Sequence, residues 1–404
     1  MKVLFDARTT GPDGIGRYVR NLAQSLNEKL KKTSGNTFEL ISRDFNLQDI
    51  CDLCNIDDSP HYSLAEITNK SLLISKRKPN LMHCTDYRVP LEGGGTPIVV
   101  TIHDIFRYTD PTLCYDDETF KNKYGLQVFE EMKQVGAILG QKLSEQNLKD
   151  LNRTSSLHFI YYSRMLRWAI NSASAIITPT EVVKNEIIQN FGLPDKIYVV
   201  PYGIDHIDKK TEIVKSQTFL SLPSKYILYV GQYRSHKNVD QLIMAFKNVE
   251  KLVDDLHLVL IGPDFIDNSK LDKFLESLNI SKKVNRLGSL SYENLRTVYA
   301  RSKALVHLSK LEGFGLTPLE ALSCGATVIA AENPTLKEIL NDFATYVDPM
   351  NIKEVSNAIT TAIEAEVAEV EKDKRVKYSG TFTWSKAAEK TIGVYNNALS
   401  YPPK

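Results

Sequence analysis

The chain has 404 residues, of which 42% are hydrophobic, so it can bury enough apolar surface for two compact domains. Its 50 Lys and Arg side chains nearly balance 49 Asp and Glu side chains, and the formal net charge of +1 excludes an overall field that would attract nucleic acid. Among the five cysteines only Cys51 and Cys54 lie close together, without a second pair or a histidine at metal spacing, which favours reduced thiols over a zinc site.

Short β-branched runs alternate with longer amphipathic stretches, a pattern typical of βα units in a parallel sheet that is buried on both faces. In the first half of the chain, six runs predict strands, which start at Lys2, Phe38, Leu81, Pro97, Ala175 and Ile197. In the second half, six more runs predict strands, which start at Lys225, Leu256, Val284, Ala304, Ala326 and Ala344. The sequence thus predicts an α/β protein with two Rossmann-like domains, whose ligands would bind in a cleft at the carboxyl ends of the strands.

A polar stretch, "HIDKKTEIVKSQTF", lies between the two series of strands and has no clear apolar period. It predicts a linker over residues 206–222. Residues 110–170 predict long helices, including "HFIYYSRMLRWAI" from His158, whose aromatic and basic residues suit a membrane surface or a helix buried against the sheet. Its apolar residues are not confined to one stripe, which favours the buried helix. The reduced thiols lead us to expect a cytoplasmic protein. No window approaches the ~18 apolar residues of a spanning helix, so we expect any contact with the inner face of the plasma membrane to be peripheral.

The stretch "LEGFGLTPLEAL" over residues 311–322 follows a predicted strand and opens a predicted helix. Thr317 suits the N-cap position, Pro318 suits the first helical position, and Glu320 falls three residues after the cap, so the spacing predicts a capping box. Glu312 has no such local role. On a loop beyond the carboxyl end of a strand, a carboxylate is a candidate ligand contact.

Glycines in the same loop indicate an anionic ligand. Gly313 and Gly315 let backbone amides approach a ligand closely, and the amides that open the following helix form an anion site. Together with Glu312, these groups suit a sugar that is attached to a diphosphate.

The stretch "EGFGLTPLEALSCG" resembles the E-x7-E signature of the retaining glycosyltransferases of GT-B fold, of the group 1 or family 4 type. Five further stretches resemble family motifs in the expected order: "GIGRY", "HD" at His103, "VPYGID", "VGQYRSHKN" and "TWSKAAEKTIGVY". The resemblance spans nearly the whole chain and implies two Rossmann-like domains that face each other across a cleft. Residues 1–205, completed by a C-terminal helix over about 385–404, would present the acceptor, and residues 223–384 would bind a nucleotide-sugar donor.

The resemblance also implies roles for individual residues at the donor site. Glu312 would contact the hexose as a catalytic residue, and Glu320 would accept hydrogen bonds from the ribose hydroxyls. The residues whose backbone would hold the sugar hydroxyls and the diphosphate are Gly313, Phe314, Gly315, Leu316 and Thr317. We expect contacts with the base around Arg286 and Leu287, although no spacing rule identifies the base.

A nucleoside diphosphate leaving group develops negative charge that preorganised positive groups must stabilise. The candidate cations are Lys237 and Arg234, on the loop after the first strand of the second domain. Many family members have an arginine directly after the glycine, where this chain has Gln232, and we expect Arg234 to take its place. No Asp-x-Asp triplet occurs in the chain, so no ligand pattern indicates a divalent metal ion, and we expect no cofactor besides the nucleotide sugar.

In the first domain, Gly14 and Gly16 precede a predicted helix, whose first amides are candidates for ligand binding. The Gly16 amide would face the diphosphate, and the Gly14 amide would face the acceptor. Alternatively, the two glycines form a tight turn. Their spacing is not G-x-G-x-x-G, which disfavours a nicotinamide or flavin cofactor. His103 ends a predicted strand, and Asp104 after it would fix the imidazole tautomer on the acceptor side of the site. The resemblance places His103, as a catalytic residue, beside the hexose and the acceptor hydroxyl. His307 lies within a predicted strand, and we expect it to be structural.

These residues and the resemblance predict a retaining hexosyltransferase with a donor of the GDP-mannose or UDP-glucose type and a glycan or lipid-linked saccharide as acceptor, in the synthesis of a cell-surface polysaccharide such as lipopolysaccharide. Retention would proceed by attack on the same face, with the leaving phosphate accepting the proton, or by double displacement through a carboxylate nucleophile. The alternatives are a sugar-nucleotide epimerase or phosphorylase of the same fold, a dinucleotide oxidoreductase, and a non-catalytic sugar-binding module.

Overall fold

The computed structural model describes residues 1–11, 13–43, 47–143, 156–207 and 222–400. The chain divides into two compact units. The first unit comprises Met1–Pro201 and Trp384–Lys404, and the second comprises Tyr202–Thr383. Most of the predicted linker over residues 206–222 lies outside the described residues.

The first unit is built on a parallel sheet of seven strands. They are β1 (Lys2–Asp6), β2 (Thr37–Ser42), β3 (Cys54–Ile56), β4 (Leu81–Cys84), β5 (Ile98–Thr101), β6 (Ala175–Thr178) and β7 (Ile197–Val199). Their spatial order is β3-β2-β1-β4-β5-β6-β7. Because every pair is parallel, the carboxyl ends of the strands meet at one edge of the sheet.

The strand β3 is the one that the sequence analysis missed, whereas the other six overlap the predicted runs. It pairs with Leu40–Ser42 at the edge of the sheet. Three residues are too few to show a period of two, so this strand is defined by the backbone of its neighbour rather than by its own side chains.

Helices cover this sheet, and the structure confirms the buried-helix interpretation of the stretch from His158. The helices before the second unit are α1 (Gly14–Lys31), α2 (Leu64–Arg77), α3 (Phe106–Thr109), α4 (Asp117–Tyr124), α5 (Leu126–Lys142), α6 (Leu157–Ser172) and α7 (Glu181–Phe191). In α6, Tyr162 and Leu166 pack in the core of the unit against strand residues such as Val100 and Ile176. The opposite side of the helix is also buried, since Tyr161 and Met165 pack against α5.

The second unit is built on a parallel sheet of six strands, all of which overlap predicted runs. They are β8 (Lys225–Val230), β9 (Leu256–Ile261), β10 (Val284–Leu287), β11 (Ala304–His307), β12 (Val328–Ala331) and β13 (Thr345–Val347), in the spatial order β10-β9-β8-β11-β12-β13. Their carboxyl ends again meet at one edge, because all the pairs are parallel. The predicted class, an α/β protein with two Rossmann-like domains, is confirmed.

The helices of the second unit alternate with its strands up to β13, after which two helices follow in succession. The helices are α8 (Val239–Val249), α9 (Ser269–Ser277), α10 (Tyr292–Arg301), α11 (Leu316–Ser323), α12 (Pro334–Leu340), α13 (Ile352–Glu364) and α14 (Glu369–Ser379). The last helix, α15 (Trp384–Ser400), belongs to the first unit and packs against α1. Across the described part of the chain, no helix combines the length and the apolar character needed to cross a membrane.

The two central strands of the second sheet bring distant loops together. β8 pairs directly with β11, so that Leu228 lies beside Leu305. The loop that follows β8 and the loop that follows β11 therefore leave the same edge of the sheet side by side. Between them, the Lys310 amide donates to the His236 carbonyl over 2.8 Å.

Candidate functional site

The predicted capping box at the start of α11 is wrong. The helix begins at Leu316, one residue before the proposed cap, and Thr317 is already inside it. The N-cap is Gly315, whose φ of 96° is left-handed and whose missing Cβ would lie 2.8 Å from Leu336 Cδ2. Because only glycine fits this backbone and this space, the helix starts directly after it. Glu320 is buried in the fifth helical position and does not reach back to the helix start.

This helix start leaves two backbone amides for a ligand. Leu316 and Thr317 occupy the first two helical positions, which have no intrahelical acceptor, and Pro318 contributes no N–H. Within the described residues, neither amide forms a hydrogen bond to a side chain or to another loop. Their N–H groups and the positive end of the helix dipole favour an anion such as a phosphate.

Glu312 is the acidic centre of the site. Its Oε1 accepts hydrogen bonds from Lys237 Nζ and from His307 Nε2, both over 2.7 Å, and its side chain is 11% exposed. Burial alone would raise the pKa of Glu312, but the Lys237 ammonium and the His307 hydrogen bond outweigh it and hold that pKa well below its ordinary value. Glu312 is therefore ionised, and its Oε2 has no hydrogen bond to any described residue.

The expectation that His307 is only structural also needs correction, because its side chain holds Glu312. It is the last residue of β11 rather than a mid-strand residue, and its ring stacks on Tyr229 with the centroids 6.4 Å apart. Its Nε2 carries the proton donated to Glu312, while Nδ1 is buried without a partner in the described part of the chain. The sequence signal that was available is its place at the carboxyl end of a strand, five residues before Glu312.

The two predicted cations differ in their surroundings. Lys237 ends a short helical turn after β8 and pairs with Glu312. Arg234, on the same loop, is exposed and forms no ion pair with the described residues. The backbone carbonyl of Gln232 accepts a hydrogen bond from the Tyr229 hydroxyl over 2.9 Å. Arg234 is thus the cation of this loop whose charge is not already compensated.

Glu320 is fully buried, and the sequence analysis missed two of the side chains that contact its carboxylate. His206 Nε2 lies 2.9 Å from Oε1, and Tyr299 donates its hydroxyl to Oε2 over 3.0 Å. The His206 ring also packs edge-on against Tyr292. His206 directly follows "VPYGID", but it lies 114 positions before Glu320, and no sequence pattern pairs the two residues.

The predicted sugar-binding and base-binding residues lie at the carboxyl edge of the second unit's sheet. Their side chains make different contacts. Phe314 is buried, with its ring 4.7 Å from that of Tyr202, so the side chain anchors the loop and only its backbone remains for a ligand. Arg286, on the edge strand β10, pairs with Asp272 of α9 over 2.7 Å. Leu287 ends β10, and its carbonyl accepts from the Gly262 amide over 3.0 Å.

In the first unit, the glycines of "GPDGIGRY" lie at the start of α1 and shape its first turn. The helix begins at Gly14, and Asp13 caps it by accepting from the Gly16 amide over 2.8 Å. A Cβ on Gly16 would lie only 1.8 Å from the carbonyl oxygen of Gly11, so a close approach of two backbone segments requires glycine here. The Gly16 amide proposed for the diphosphate is thus engaged by Asp13.

His103 lies beyond the carboxyl end of β5. Its Nε2 donates to the Thr85 carbonyl over 2.8 Å, an interaction that the sequence did not predict. Burial lowers the pKa of His103, which favours the neutral imidazole. Asp104, expected to fix the tautomer, accepts from the Phe106 amide over 3.2 Å, while the Thr85 carbonyl holds the ring nitrogen.

Comparisons with known proteins identify the family of the chain. Residues 12–207 match the family model described as Glycosyltransferase Family 4, and residues 210–381 match the model described as Glycosyl transferases group 1. The O-antigen chain mannosyltransferase RfbU of Salmonella typhimurium is 27% identical over 51% of this chain, and the O-antigen chain mannosyltransferase B of Escherichia coli is 26% identical over 58%. The matches span 55% and 64% of these relatives' own lengths.

Solved structures resemble the chain over almost its entire length. The sucrose-phosphate synthase of Thermosynechococcus elongatus has a TM-score of 0.69 at 16% identity and covers 99% of each chain. Anabaena HepE in complex with UDP and glucose has a TM-score of 0.68 at 16% identity, over 98% of this chain and 99% of that one. At this identity the likeness shows the fold alone. The two consecutive family matches and this GT-B fold together show that the chain belongs to the group 1 glycosyltransferases.

Proposed function

We propose that the protein is a retaining glycosyltransferase, which moves a hexose from a nucleotide-diphosphate sugar to a hydroxyl of a glycan or lipid-linked saccharide in cell-surface polysaccharide synthesis. The observation that carries the proposal is the ionised Glu312, held by Lys237 and His307 beside the open amides of α11. The names of the O-antigen mannosyltransferase relatives support the polysaccharide context.

The donor diphosphate is proposed to bind at the start of α11. The Leu316 and Thr317 amides supply fixed donors where negative charge develops on the leaving group, and Arg234 supplies a mobile cation. Lys237 has three N–H groups, so it can hold Glu312 and a phosphate oxygen at once. We propose that these groups replace a divalent metal ion. In the described part of the chain, no group of three or more His, Cys, Asp or Glu side chains is arranged to hold one.

Glu312 is proposed to bind the hexose through Oε2. An ionised carboxylate with one oxygen fixed by two donors is a preorganised acceptor for a sugar hydroxyl. For the chemical step we propose attack on the same face, with the leaving phosphate accepting the proton of the acceptor hydroxyl. The neutral His103 would then contact the sugar or the acceptor without supplying a positive charge.

The donor is proposed to be GDP-mannose in preference to UDP-glucose. The mannosyltransferase relatives support this choice, whereas the solved HepE complex contains UDP and glucose. Glu320 is proposed to accept from the ribose, with His206 and Tyr299 fixing its orientation.

Thermal unfolding with UDP, GDP, ADP and CMP tests the donor site first. The correct nucleotide at 100 times its dissociation constant stabilises a protein by about 2.7 kcal/mol. The nucleotide sugar of the tightest binder is then incubated with and without saccharide acceptors, and NMR of the product gives its anomeric configuration. No shift with any nucleotide, or an inverted product, would contradict the proposal.

Three controls separate the alternatives. An epimerase would convert the donor sugar in the absence of an acceptor, and an oxidoreductase would change nicotinamide absorbance. In a non-catalytic binding module, Glu312→Ala would leave the biological activity intact. In the proposed enzyme it abolishes turnover while the variant stays folded.

A further inference from the structure

A row of buried polar side chains crosses the first unit and leads to the candidate catalytic residue His103. The Tyr395 hydroxyl of α15 lies 2.7 Å from Nδ1 of His83 on β4, and Nε2 of His83 lies 2.8 Å from the hydroxyl oxygen of Thr101. Thr101 ends β5, and its hydroxyl lies 2.7 Å from the hydroxyl of Tyr18 on α1. The row therefore connects the last helix to the first through two adjacent strands of the sheet.

The hydrogen bonds of this row satisfy one another. The side chains of Tyr18, His83, Thr101 and Tyr395 are all fully buried. Burial lowers the pKa of His83 to about 3, so the ring is neutral and has one N–H donor and one acceptor nitrogen. A hydroxyl group also both donates and accepts, so each link of the row has a donor and an acceptor. A fully satisfied buried network is rigid, and it fixes the hydroxyl end of Tyr18.

The aromatic ring of Tyr18 packs against the imidazole of His103. The two ring centroids lie 5.0 Å apart and the ring planes meet at 83°, which is the edge-to-face geometry that aromatic pairs prefer. The indole of Trp384, the first residue of α15, lies 6.2 Å from the Tyr18 ring. The sequence analysis assigned roles to the glycines of "GIGRY" but none to this tyrosine.

Tyr18 contacts the His103 ring where a hydrogen bond alone would not fix it. His103 Nε2 donates to the Thr85 carbonyl over 2.8 Å, so in the neutral ring the acceptor nitrogen is Nδ1. A hydrogen bond along the N–H direction holds the distance to its acceptor but leaves the plane of the ring open. The direction of the Nδ1 lone pair therefore depends on what packs against the ring.

We propose that Tyr18 is a positioning residue for His103, whose ring plane it holds so that Nδ1 keeps one direction toward the substrate. The inference rests on the proposed function, in which His103 contacts the sugar or the acceptor without supplying a positive charge. Because Nδ1 is an acceptor, the substrate group that it binds is a hydroxyl. Tyr18 is fully buried, so its effect on the reaction passes through His103.

Steady-state kinetics of Tyr18 variants test this role. Tyr18→Leu removes the ring and should lower kcat by ~10–100-fold with little change in the KM of the donor, because a misplacement of about 1 Å can cost about 100-fold in rate. Tyr18→Phe keeps the ring and should stay within a few-fold of the wild type. Tyr161→Leu removes a buried tyrosine that packs in another cluster, so it is the matched control and should keep the wild-type kcat. Initial rates of hydrolysis of GDP-mannose and of UDP-glucose measure all three.

Two further measurements separate positioning from a purely structural role. In a His103→Ala background, Tyr18→Leu should cause no further loss of kcat, since no imidazole remains to be held. Crystal structures should show the imidazole in its wild-type orientation in Tyr18→Phe and turned in Tyr18→Leu. If Tyr18→Leu does not fold, Tyr18→Met takes its place, because the flexible methionine side chain fills irregular space.

Several outcomes would refute the role of Tyr18. They are a wild-type kcat in Tyr18→Leu, an equal loss in Tyr161→Leu, an undiminished loss in the His103→Ala background, and an imidazole that does not move in the crystal. Absence of turnover of both donors by the wild type would contradict the proposed function instead. The orientation of His103 in the crystal structures would then decide the role of Tyr18 by itself.

Discussion

His307 Nε2 donates a hydrogen bond of 2.7 Å to Glu312 Oε1, so the last residue of β11 fixes a carboxylate five positions further along the chain. Lys237, on the loop after the neighbouring strand β8, contacts the same oxygen over 2.7 Å. One donor at the end of β11 and one on the loop after the adjacent strand β8 thus determine where the second oxygen of Glu312 points. The proposed function assigns that oxygen to the donor hexose.

Removal of the His307 hydrogen bond should impair turnover more than donor binding. A hydrogen bond to a charged group contributes ~1.5–3 kcal/mol, so His307→Leu should lower kcat by ~10–100-fold with little change in the KM of the donor. His307→Gln keeps an N–H donor near the position of Nε2 and should stay within a few-fold of the wild type. Initial rates of donor turnover measure both variants. Equal losses in the two would show that packing against Tyr229, rather than the hydrogen bond, matters.

The Lys237 and Glu312 side chains should be strongly coupled in stability. Lys237→Met leaves a largely buried carboxylate with one of its two donors and should lower the free energy of unfolding by about 1–3 kcal/mol. The double variant Glu312→Gln/Lys237→Met has no such charge and should be less destabilised than the sum of the two single variants. Urea unfolding of the four proteins gives the coupling energy. Simple additivity would argue against a direct pair.

The hydrogen bond from Tyr299 to Glu320 should contribute more than one between neutral groups. Tyr299→Phe removes a donor to a fully buried carboxylate and should cost about 1.5–3 kcal/mol of unfolding free energy. Tyr226→Phe is the matched control, because the Tyr226 hydroxyl is buried and donates to the neutral carbonyl of Val298 over 2.8 Å. It should cost about 0.5–1.5 kcal/mol. Denaturant unfolding ranks the two, and the opposite order would show that the Tyr299 hydrogen bond contributes no more than one to a neutral carbonyl.

Replacement of Gly16 should damage the start of α1. In Gly16→Ala the new methyl group meets the Gly11 carbonyl oxygen at 1.8 Å, so the backbone must move, and a loss of about 1–3 kcal/mol is expected for such overpacking. Gly393→Ala in α15 is the control, since a Cβ there meets nothing within 4 Å. Alanine should stabilise that helix by ~0.5–1 kcal/mol. A tolerated Gly16→Ala would contradict the close approach of the two segments.

Glu186 should make stability fall as the pH rises from 4.5 to about 7. Burial, and secondarily the charge of Asp104, raise the pKa of Glu186 to about 7 from 4.5. The folded protein therefore binds more protons than the unfolded chain between these values, so the free energy of unfolding decreases as the pH rises from 4.5 to 7. Glu186→Gln should remove this part of the pH dependence. An unchanged slope in urea unfolding between pH 5 and 8 would show that Glu186 is not responsible.

Local sequence patterns were sufficient to predict most strands and the loop that carries Glu312. A run such as "KYILYV" predicts β8 because a strand buried on both faces needs consecutive apolar residues. The three residues of β3 carry no such pattern. The N-cap was placed two residues too late because Thr317 has the right chemistry for an N-cap. The left-handed backbone of Gly315, and the Leu336 side chain that packs where its Cβ would lie, are seen only in the structure.

The sequence by itself determined the two-part α/β architecture and the positions of Glu312, Lys237 and Glu320, since apolar periodicity and motif spacing are local properties of the chain. Only the tertiary structure decided which groups touch these side chains. Lys237 and Glu312 are 75 residues apart, and they meet because β8 pairs with β11 in one register. Strand pairing is set by the packing of the whole sheet, and for that reason contacts across it cannot be obtained from spacing along the chain.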